Sequence, residues 1–320
     1  MASIKVSFIF VNRNNTPIIL NALKSLYKAG SKYKFEVFVV DNNSEEDTAN
    51  SIKKAFPKVN VISLKKNIGT AAFDAAIPKC KGQYLYLTPG DVRFEKKFLD
   101  VLVDFLEKNK DAAQASPKLV NYSDKSKIDM GGTWLSRAFY SGAFRDSTLG
   151  NKTIEIPYMG TGLVKRDIIK KFGYLYDKDY FFYGEDVDLG VRFMLSGYKV
   201  FYIPSSTVYH MGSISRDKSN ASHLTFLMER NLLTTFFKTL EFRNVLVLLP
   251  YALLLRLMVF FRDLAKLKFW EAFARIRAIF WVVFNIGKIT GKRRIIQKMR
   301  KIPDRELFKA FSEKYLLKSY

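Results

Sequence analysis

Three acidic residues at the head of an amphipathic segment are the strongest candidates for chemistry. Glu185, Asp186 and Asp188 begin the stretch 187–195, whose apolar residues recur at helical spacing within FFYGEDVDLGVRF. On a helix Asp188 lies one turn before Arg192 and can pair with it, whereas Asp186 points about 100° away from Glu185. A solvated helix start is the simpler explanation for such carboxylates. Apolar residues on both sides predict instead a partly dry cleft, where a carboxylate can act as a general base toward a hydroxyl.

A second group of polar residues follows four short apolar runs near the N-terminus. The runs are 4–11, 35–40, 59–64 and 83–87, and segments of helical character lie between them at 17–29, 46–56 and 70–80. This alternation predicts a parallel sheet with right-handed crossovers, which binds its ligand beyond the carboxyl ends of the strands. At those ends stand Asn12, Arg13, Asp41, Asn43, Asn67, Gly69 and Asp91. Turn and cap formation is the alternative explanation for each of them.

Two further observations bear on the kind of ligand that the site could bind. No glycine loop of the form GxGxxG or GxxxxGK[ST] follows the first run, which argues against a dinucleotide oxidoreductase and a P-loop enzyme. His210 follows a predicted strand at 198–203, in the glycine- and serine-containing sequence TVYHMGS. It is therefore a candidate metal or phosphate contact, with a structural role as the alternative.

These motifs, in their order, resemble the family 2 glycosyltransferases of the GT-A fold, and in particular the rhamnosyltransferase-like branch. The matching segments are VSFIFVNRN, VVDNNSEEDT, NIGTAA, LTPGDV, MGTGLVKRD, FFYGEDVDLGVRF and VYHMGSIS, which together span residues 4–216. The later run RRIIQKMRKIPDREL also resembles the tail of that family. The resemblance implies an α/β fold with a Rossmann-like and mostly parallel sheet flanked by helices. The composition beyond it, rich in Leu, Phe, Arg and Lys, predicts a basic amphipathic helical region at the C-terminus. We expect a glycosyltransferase domain over 1–216 and a membrane-associating region over 217–320.

The resemblance also implies an activity and a set of catalytic groups. A sugar would pass from a nucleotide diphosphate donor to a hydroxyl, with inversion at the anomeric carbon. Asp186 would deprotonate the acceptor hydroxyl, and Glu185 would orient the acceptor or the base. Asp91 would hold Mg²⁺ or Mn²⁺ on the donor diphosphate, with His210 as a second metal ligand.

The binding residues are carried over from the same motifs. Asp41 would contact the nucleobase. The rest of the donor site would comprise Asn12, Arg13, Asn43, Asn67, Gly69 and Asp91. The acceptor site would comprise Gly160, Thr161, Gly162 and Asp188. The chain departs from the family where Pro89 and Gly90 precede Asp91, because relatives usually carry an acidic residue or Asn two positions before that Asp.

The composition and the N-terminal sequence indicate a folded protein and the compartment in which it acts. The 320 residues are 48% apolar, ample for a folded core, and the single cysteine, Cys80, can form neither an internal disulfide nor a Cys-based zinc site. The start, MASIKVSFIF, lacks the long apolar core and cleavage site of a signal peptide. We therefore expect a protein of the cytoplasmic side.

The positive charge is concentrated in the last third of the chain. Of the formal net charge of +23, residues 221–320 contribute +13, from 20 Lys+Arg and 7 Asp+Glu. The apolar stretch 244–261 contains one charge, Arg256, and a central Pro250, and it is near the lower length limit for crossing a bilayer. We expect interfacial or re-entrant helices on an anionic membrane surface. An ordinary helical core, a homo-oligomer interface and a true transmembrane helix are the alternatives.

The basic run 291–303 carries no accompanying RNA- or DNA-binding motif, so we expect a membrane surface or a lipid diphosphate rather than nucleic acid. The function predicted overall is a peripheral enzyme of the cytoplasmic face that glycosylates a glycan or a lipid-diphosphate-linked acceptor in cell-surface polysaccharide or glycolipid synthesis. A catalytically inactive membrane scaffold and a nucleotidyltransferase are the rival predictions.

Overall fold

The computed structural model of the chain describes residues 3–145, 150–212 and 220–315. Its strands are β1 Val6–Asn12, β2 Phe35–Asp41, β3 Asn60–Ser63, β4 Tyr84–Pro89, β5 Val92–Phe94, β6 Ala112–Asn121, β7 Ile128–Met130, β8 Thr133–Leu135, β9 Ser141–Ala143, β10 Ile154–Ile156, β11 Gly162–Lys165 and β12 Lys199–His210. Its α-helices are α1 Thr16–Ala29, α2 Thr48–Ala55, α3 Phe98–Lys108, α4 Arg166–Phe172, α5 Glu185–Leu195, α6 Ala221–Thr239, α7 Phe242–Ala265, α8 Phe269–Phe284, α9 Ile286–Lys298 and α10 Asp304–Leu307. Short 3₁₀ helices occupy Gly69–Ala75, Ile77–Lys79 and Phe308–Ala310.

The main sheet confirms the predicted α/β class. Its strand order is β10-β12-β6-β11-β4-β1-β2-β3, with β5 added beside β12 and β7 beside β6. The first four strands along the chain, β1 to β4, pair in parallel as predicted. The strand β11 then runs antiparallel to both β4 and β6, so the remaining half of the sheet is mixed. The carboxyl ends of β1, β2, β3 and β4 therefore share one edge.

Both faces of the central strands are covered, which explains their uninterrupted apolar sequences. Phe8 and Phe10 on β1 are fully buried, and the Phe8 ring lies 4.9 Å from that of Tyr86 on β4. Helix α1 covers the sheet with a buried apolar stripe that includes Ile19 and Leu23. Packing of this kind fixes the strands, and thus the polar residues at their ends.

Two predicted elements differ in form. The segment 70–80, expected to be a helix, forms two 3₁₀ turns. Pro78 lacks the N–H that would continue a helix, and the Asp74 carboxylate accepts hydrogen bonds from the backbone of Leu175 and Tyr176 at 2.7 and 3.0 Å. The predicted strand 198–203 extends to His210 as β12, with an irregular register beyond Ile203 where Pro204 interrupts the ladder.

The C-terminal helices pack onto the sheet domain through α6. Val187 and Val191 on α5 share one buried cluster with Leu232 and Phe236 on α6. The predicted apolar segments appear as α7 and α8, with Pro250 inside α7. In the part of the chain that the structure describes, α7 is the helix whose length and composition would suffice to cross a membrane. The division of the chain near residue 216 stays a prediction.

Candidate active site

The ends of β1 and β2 bring the predicted nucleotide-binding residues together. Asn12 and Asp41 are direct partners in the parallel ladder and are both buried. The Asp41 carboxylate accepts a hydrogen bond from the Ser44 hydroxyl. The side-chain amide nitrogen of Asn12 is buried and lacks a hydrogen-bond partner within the described residues, which marks it as a donor available to a ligand. Arg13 and Asn43 follow on exposed positions at the same edge.

Asn42 organises the next loop, a role that the sequence analysis did not assign. Its amide nitrogen donates to Asn67 Oδ1 at 2.9 Å and to the Gly69 carbonyl at 3.0 Å, and its Oδ1 accepts from the backbone of Ile68 at 3.0 Å. Three hydrogen bonds from one side chain thus fix the loop after β3 against the end of β2. The motif DNN itself, two amides after a strand-end carboxylate, is the signal that could have identified it.

Asp91 lies just beyond β4 and faces His210, as predicted for a metal site. His210 Nε2 is 3.4 Å from Asp91 Oδ2, and the neighbouring strands β5 and β12 fix this distance because Val92 pairs with His210. On its other side, His210 Nδ1 lies 2.5 Å from Asp129 Oδ2, on β7. Sequence reasoning missed Asp129, since it is far from both residues along the chain and only the pairing of β6 with β7 brings it close.

These side chains fit a divalent cation that is shared with a diphosphate. Asp91 Oδ1 is buried with no hydrogen-bond partner among the residues described, so it is open to a ligand. Burial lowers the pKa of His210, but the hydrogen bonds to Asp129 and Asp91 outweigh this and raise it to about 9. His210 is therefore protonated near neutral pH in this arrangement and would release a proton on becoming a metal ligand. Within 3–145, 150–212 and 220–315, no group of three or more His, Cys, Asp or Glu is arranged to hold a metal. Mg²⁺ typically uses one or two protein ligands and completes its shell with phosphate oxygens and water.

Glu185 and Asp186 form the first turn of α5 and are partly buried together. A Cβ atom, if Gly160 had one, would lie 3.4 Å from Asp186 Oδ2, so the two residues are neighbours. Gly160 stands two residues before β11, whose Gly162 pairs with Leu87 on β4, so Asp186 lies at the carboxyl end of β4. This is the end from which the chain continues to Asp91.

The two carboxylates are poised to hold a proton near neutral pH. Burial raises the pKa of both, and the charge of Asp186 raises that of Glu185 further. Glu185 Oε2 is buried without a hydrogen-bond partner in the described part of the chain, while Asp186 Oδ1 accepts from the backbone of Val187 at 2.8 Å. The pair thus differs from a solvated helix start, because exposed carboxylates would remain ionised well below neutral pH.

The loop before α5, which positions these two carboxylates, has a strained backbone. Phe181, Tyr183 and Gly184 all have positive φ values, of 64°, 63° and 76°. Asn231 on α6 stabilises the loop, since its amide nitrogen donates to the carbonyls of Tyr180, Phe182 and Tyr183 at 3.0, 3.0 and 2.6 Å. Non-glycine residues in this conformation persist only where the surroundings hold them. The helical region is therefore part of the support of the site.

Three of the predicted acceptor residues, Asp188, Thr161 and Gly162, are buried in this structure. Asp188 is fully buried, and its oxygens face Arg192 Nε and Lys238 Nζ, each at 2.9 Å. The predicted ion pair with Arg192 is present, and it makes Asp188 a structural anchor of α5 rather than an acceptor contact. Thr161 is buried just before β11, and a Cβ on Gly162, the first residue of β11, would lie 2.6 Å from Ser116 Oγ on β6. Of the predicted acceptor set, Gly160 lies beside Asp186.

The mixed α/β sheet and the family model that matches the chain together identify a glycosyltransferase. The chain belongs to glycosyl transferase family 2, whose family model matches residues 7–173. It is rhamnosyltransferase-like: over 218 residues it is 26% identical to "N-acetylglucosaminyl-diphospho-decaprenol L-rhamnosyltransferase" from two strains of Mycobacterium tuberculosis, CDC 1551 / Oshkosh and ATCC 25618 / H37Rv. That match covers 59% of this chain and 70% of each relative.

Solved structures agree on the fold. The structure of GalNAc-T7 with UDP, GalNAc and Mn²⁺ superposes with a TM-score of 0.57 at 18% identity, over 65% of this chain and 43% of that one. The structure of Staphylococcus aureus TarS 1–349 with UDP-GlcNAc gives a TM-score of 0.53 at 17% identity, over 73% of this chain and 66% of that one. The chain thus spans less than two thirds of the length of either protein. The predicted GT-A fold and the predicted enzyme class, a glycosyltransferase, are confirmed.

Proposed function

We propose that this enzyme transfers a sugar, with inversion, from a nucleotide diphosphate to a hydroxyl of a lipid-diphosphate-linked glycan during synthesis of a cell-surface polysaccharide or glycolipid. One observation carries the proposal: Asp186 lies against Gly160 at the carboxyl end of β4, from which the chain leads to Asp91. A base for the acceptor and a diphosphate-binding carboxylate therefore belong to one edge of the sheet. The acceptor class is that named in the two mycobacterial relatives.

On the donor side, strand-end polar groups bind the nucleotide. Asp41, held by Ser44, accepts hydrogen bonds from the nucleobase, and the unpaired amide of Asn12 donates to the donor nucleotide. Asp91 and His210 would hold Mg²⁺ or Mn²⁺, and the ion would neutralise the charge that builds on the leaving diphosphate. Asp129 orients His210 through its Nδ1. Arg13, Asn43, Asn67 and Gly69 complete the donor site in this proposal.

On the acceptor side, Asp186 removes the proton from the attacking hydroxyl. Its raised pKa brings it closer to the operating pH than an exposed aspartate would be, which improves proton transfer. Glu185 orients the acceptor or Asp186. Burial, together with the charge of Asp186, raises the pKa of Glu185 above that of Asp186, so Glu185 keeps a proton more readily. Inversion follows from a single displacement, in which one base acts and no enzyme carboxylate attacks the sugar.

A lipid-linked acceptor also implies where the enzyme acts. We propose that it is peripheral on the cytoplasmic face of the membrane, in keeping with the basic C-terminal third of the chain.

A donor and acceptor screen tests the proposal. The purified chain is incubated with common nucleotide sugars and a short-chain lipid-diphosphate-linked N-acetylglucosamine acceptor, with Mn²⁺, with Mg²⁺ and with EDTA. We expect release of a nucleoside diphosphate, dependence on the cation, and a product of opposite anomeric configuration by NMR. Pyrophosphate release would indicate a nucleotidyltransferase. Retention of configuration would contradict the single-displacement mechanism, and absence of donor binding by calorimetry would indicate a scaffold.

A further inference from the structure

The helices α7 and α8 form a hairpin with an unusually apolar outer face. Val247 and Met258 on α7 are 66% and 57% exposed, and Trp270 and Phe284 on α8 are 78% and 81% exposed. The hairpin connection adds Leu267, which is 75% exposed. Single exposed apolar residues are ordinary, but a contiguous set of this size on one hairpin marks an interaction surface.

The inner face of the same hairpin is pinned to the protein by buried charges. Glu229 on α6 pairs with Arg256 on α7 at 3.0 Å and also with Arg275 on α8. Arg275 Nε in turn contacts Asp263 Oδ2 on α7 at 2.9 Å. All four side chains are at most 7% exposed. Because α7 and α8 both turn toward this cluster, their opposite faces point outward together.

The charge cluster opposes a transmembrane position for α7. To cross a bilayer, α7 would have to take Arg256 and Asp263 away from their partners and into hydrocarbon, and unpaired charges are costly there. Arg256 also donates to the Ala138 carbonyl at 3.0 Å, which adds a tie to the sheet domain. About 36 Å of α7 is therefore held along the protein surface.

The charges around the outer face favour an anionic bilayer over a second copy of the chain as its partner. Lys266 and Lys268 are exposed on either side of Leu267, and Arg277 is exposed on the outer side of α8. The acidic residues of 242–286 are Asp263, which is buried, and Glu271, which is half-buried. A symmetric pairing of two such faces would bring like charges together. A bilayer offers acyl chains to the apolar side chains and anionic headgroups to the cations.

We propose that the α7–α8 hairpin is a monotopic membrane anchor, whose tip, residues 266–270, inserts into the headgroup region of an anionic bilayer while α7 lies along its surface. This deepens the membrane location given under the proposed function. Vesicle binding is measured without donor or acceptor, so that failure of the anchor and failure of sugar transfer are separate outcomes.

Sedimentation of the full chain with vesicles tests the anchor. We expect binding to phosphatidylcholine vesicles that contain phosphatidylglycerol and weaker binding to phosphatidylcholine alone. Leu267→Glu and Trp270→Glu should each weaken binding by about tenfold or more, and Trp270→Phe should retain it. Lys266→Glu/Lys268→Glu should weaken binding to the anionic vesicles only, whereas the matched pair Lys53→Glu/Lys54→Glu on exposed α2 should not.

Three results would overturn the proposal. Unchanged vesicle binding in both Leu267→Glu and Trp270→Glu would exclude the hairpin tip as the membrane contact. If the native chain does not bind vesicles but forms a dimer that Trp270→Glu converts to a monomer, the apolar face binds a second copy of the chain. Leu267→Cys, labelled with an environment-sensitive fluorophore, tests the orientation, because the native Cys80 is buried. The label should shift to the blue on binding and remain accessible to a membrane-impermeant reductant added outside. Protection from that reductant would indicate a spanning α7.

Discussion

The Cα of Gly69 lies so close to the carbonyl oxygen of Phe181 that a Cβ atom on Gly69 would collide with that oxygen. The next residue, Thr70, donates its backbone N–H to the same oxygen at 2.8 Å. The loop after β3, proposed to contact the donor, is thereby joined to the loop that leads into Glu185. This contact joins the two halves of the site directly, and only glycine permits it.

Replacing this glycine should therefore disturb catalysis as well as stability. Gly69 and Gly30 have nearly the same φ, +65° and +64°, but a Cβ on Gly30 meets nothing within 4 Å. Gly30 has φ 64° and ψ 171°, a conformation that is nearly restricted to glycine, so we expect Gly30→Ala to lower the free energy of unfolding by about 1–3 kcal/mol with kcat/KM unchanged. Gly69→Ala should cost more and lower kcat/KM. Equal effects of the two substitutions in urea unfolding and in the transfer assay would contradict this role.

The buried Lys238 should be a major determinant of stability. Its Nζ lies 2.9 Å from Asp177 Oδ2 and 2.9 Å from Asp188 Oδ1, so it neutralises two buried carboxylates and ties α5 to α6. Lys238→Met should lower the free energy of unfolding by about 3–5 kcal/mol, because the carboxylates lose their counter-ion. Lys309→Met, which breaks a surface pair with Glu306, serves as the control and should change little. If Lys238→Met lowers the free energy of unfolding no more than Lys309→Met does, Lys238 is not a major determinant of stability.

Asp129 should affect metal affinity without touching the donor. It holds His210 Nδ1 at 2.5 Å, and loss of such an outer partner typically weakens metal binding by about 10–100-fold. In Asp129→Asn we expect a higher Mn²⁺ concentration for half-maximal activity, with activity restored at saturating Mn²⁺. The matched variant is Asp124→Asn, whose carboxylate bonds within its own turn to Ser126 and should leave the metal requirement unchanged. Loss of activity that Mn²⁺ cannot restore would instead mean that Asp129 acts on the fold.

The raised pKa values of Glu185 and Asp186 predict two pH effects. Since burial favours the protonated carboxyls in the fold, stability should fall as pH rises through the raised pKa of Glu185. Glu185→Gln should remove that fall, while exposed Glu95→Gln should keep it. Activity, in contrast, should fall as the pH is lowered, because acid protonates Asp186. Since the pKa of Asp186 is raised, this loss should begin at a higher pH than it would for an exposed aspartate. Melting temperatures and kcat/KM across pH measure both, and superimposable stability curves for Glu185→Gln and the native chain would contradict the first.

The local sequence was sufficient to predict the polar residues at the strand ends and the start of α5. The first follow from the alternation of short apolar runs, and the second follows from apolar residues at helical spacing. It could not reveal Asp129 or Asn231, whose roles depend on the pairing of β7 with β6 and on the packing of α6 against the loop before α5. Asp188 illustrates the same limit. Its pairing with Arg192 was readable from a spacing of four residues, but its complete burial depends on Lys238, fifty residues further along.

The most direct test of the account is the transfer rate of Asp186→Asn, measured with donor affinity on the same preparation. Asp186 is proposed to remove the acceptor proton, and its amide counterpart cannot. The control is Asp167→Asn, which alters an exposed aspartate in the first turn of α4. We predict that Asp186→Asn binds donor normally and loses transfer by at least about 100-fold, while Asp167→Asn is unaffected. Near-normal turnover in Asp186→Asn would contradict the account.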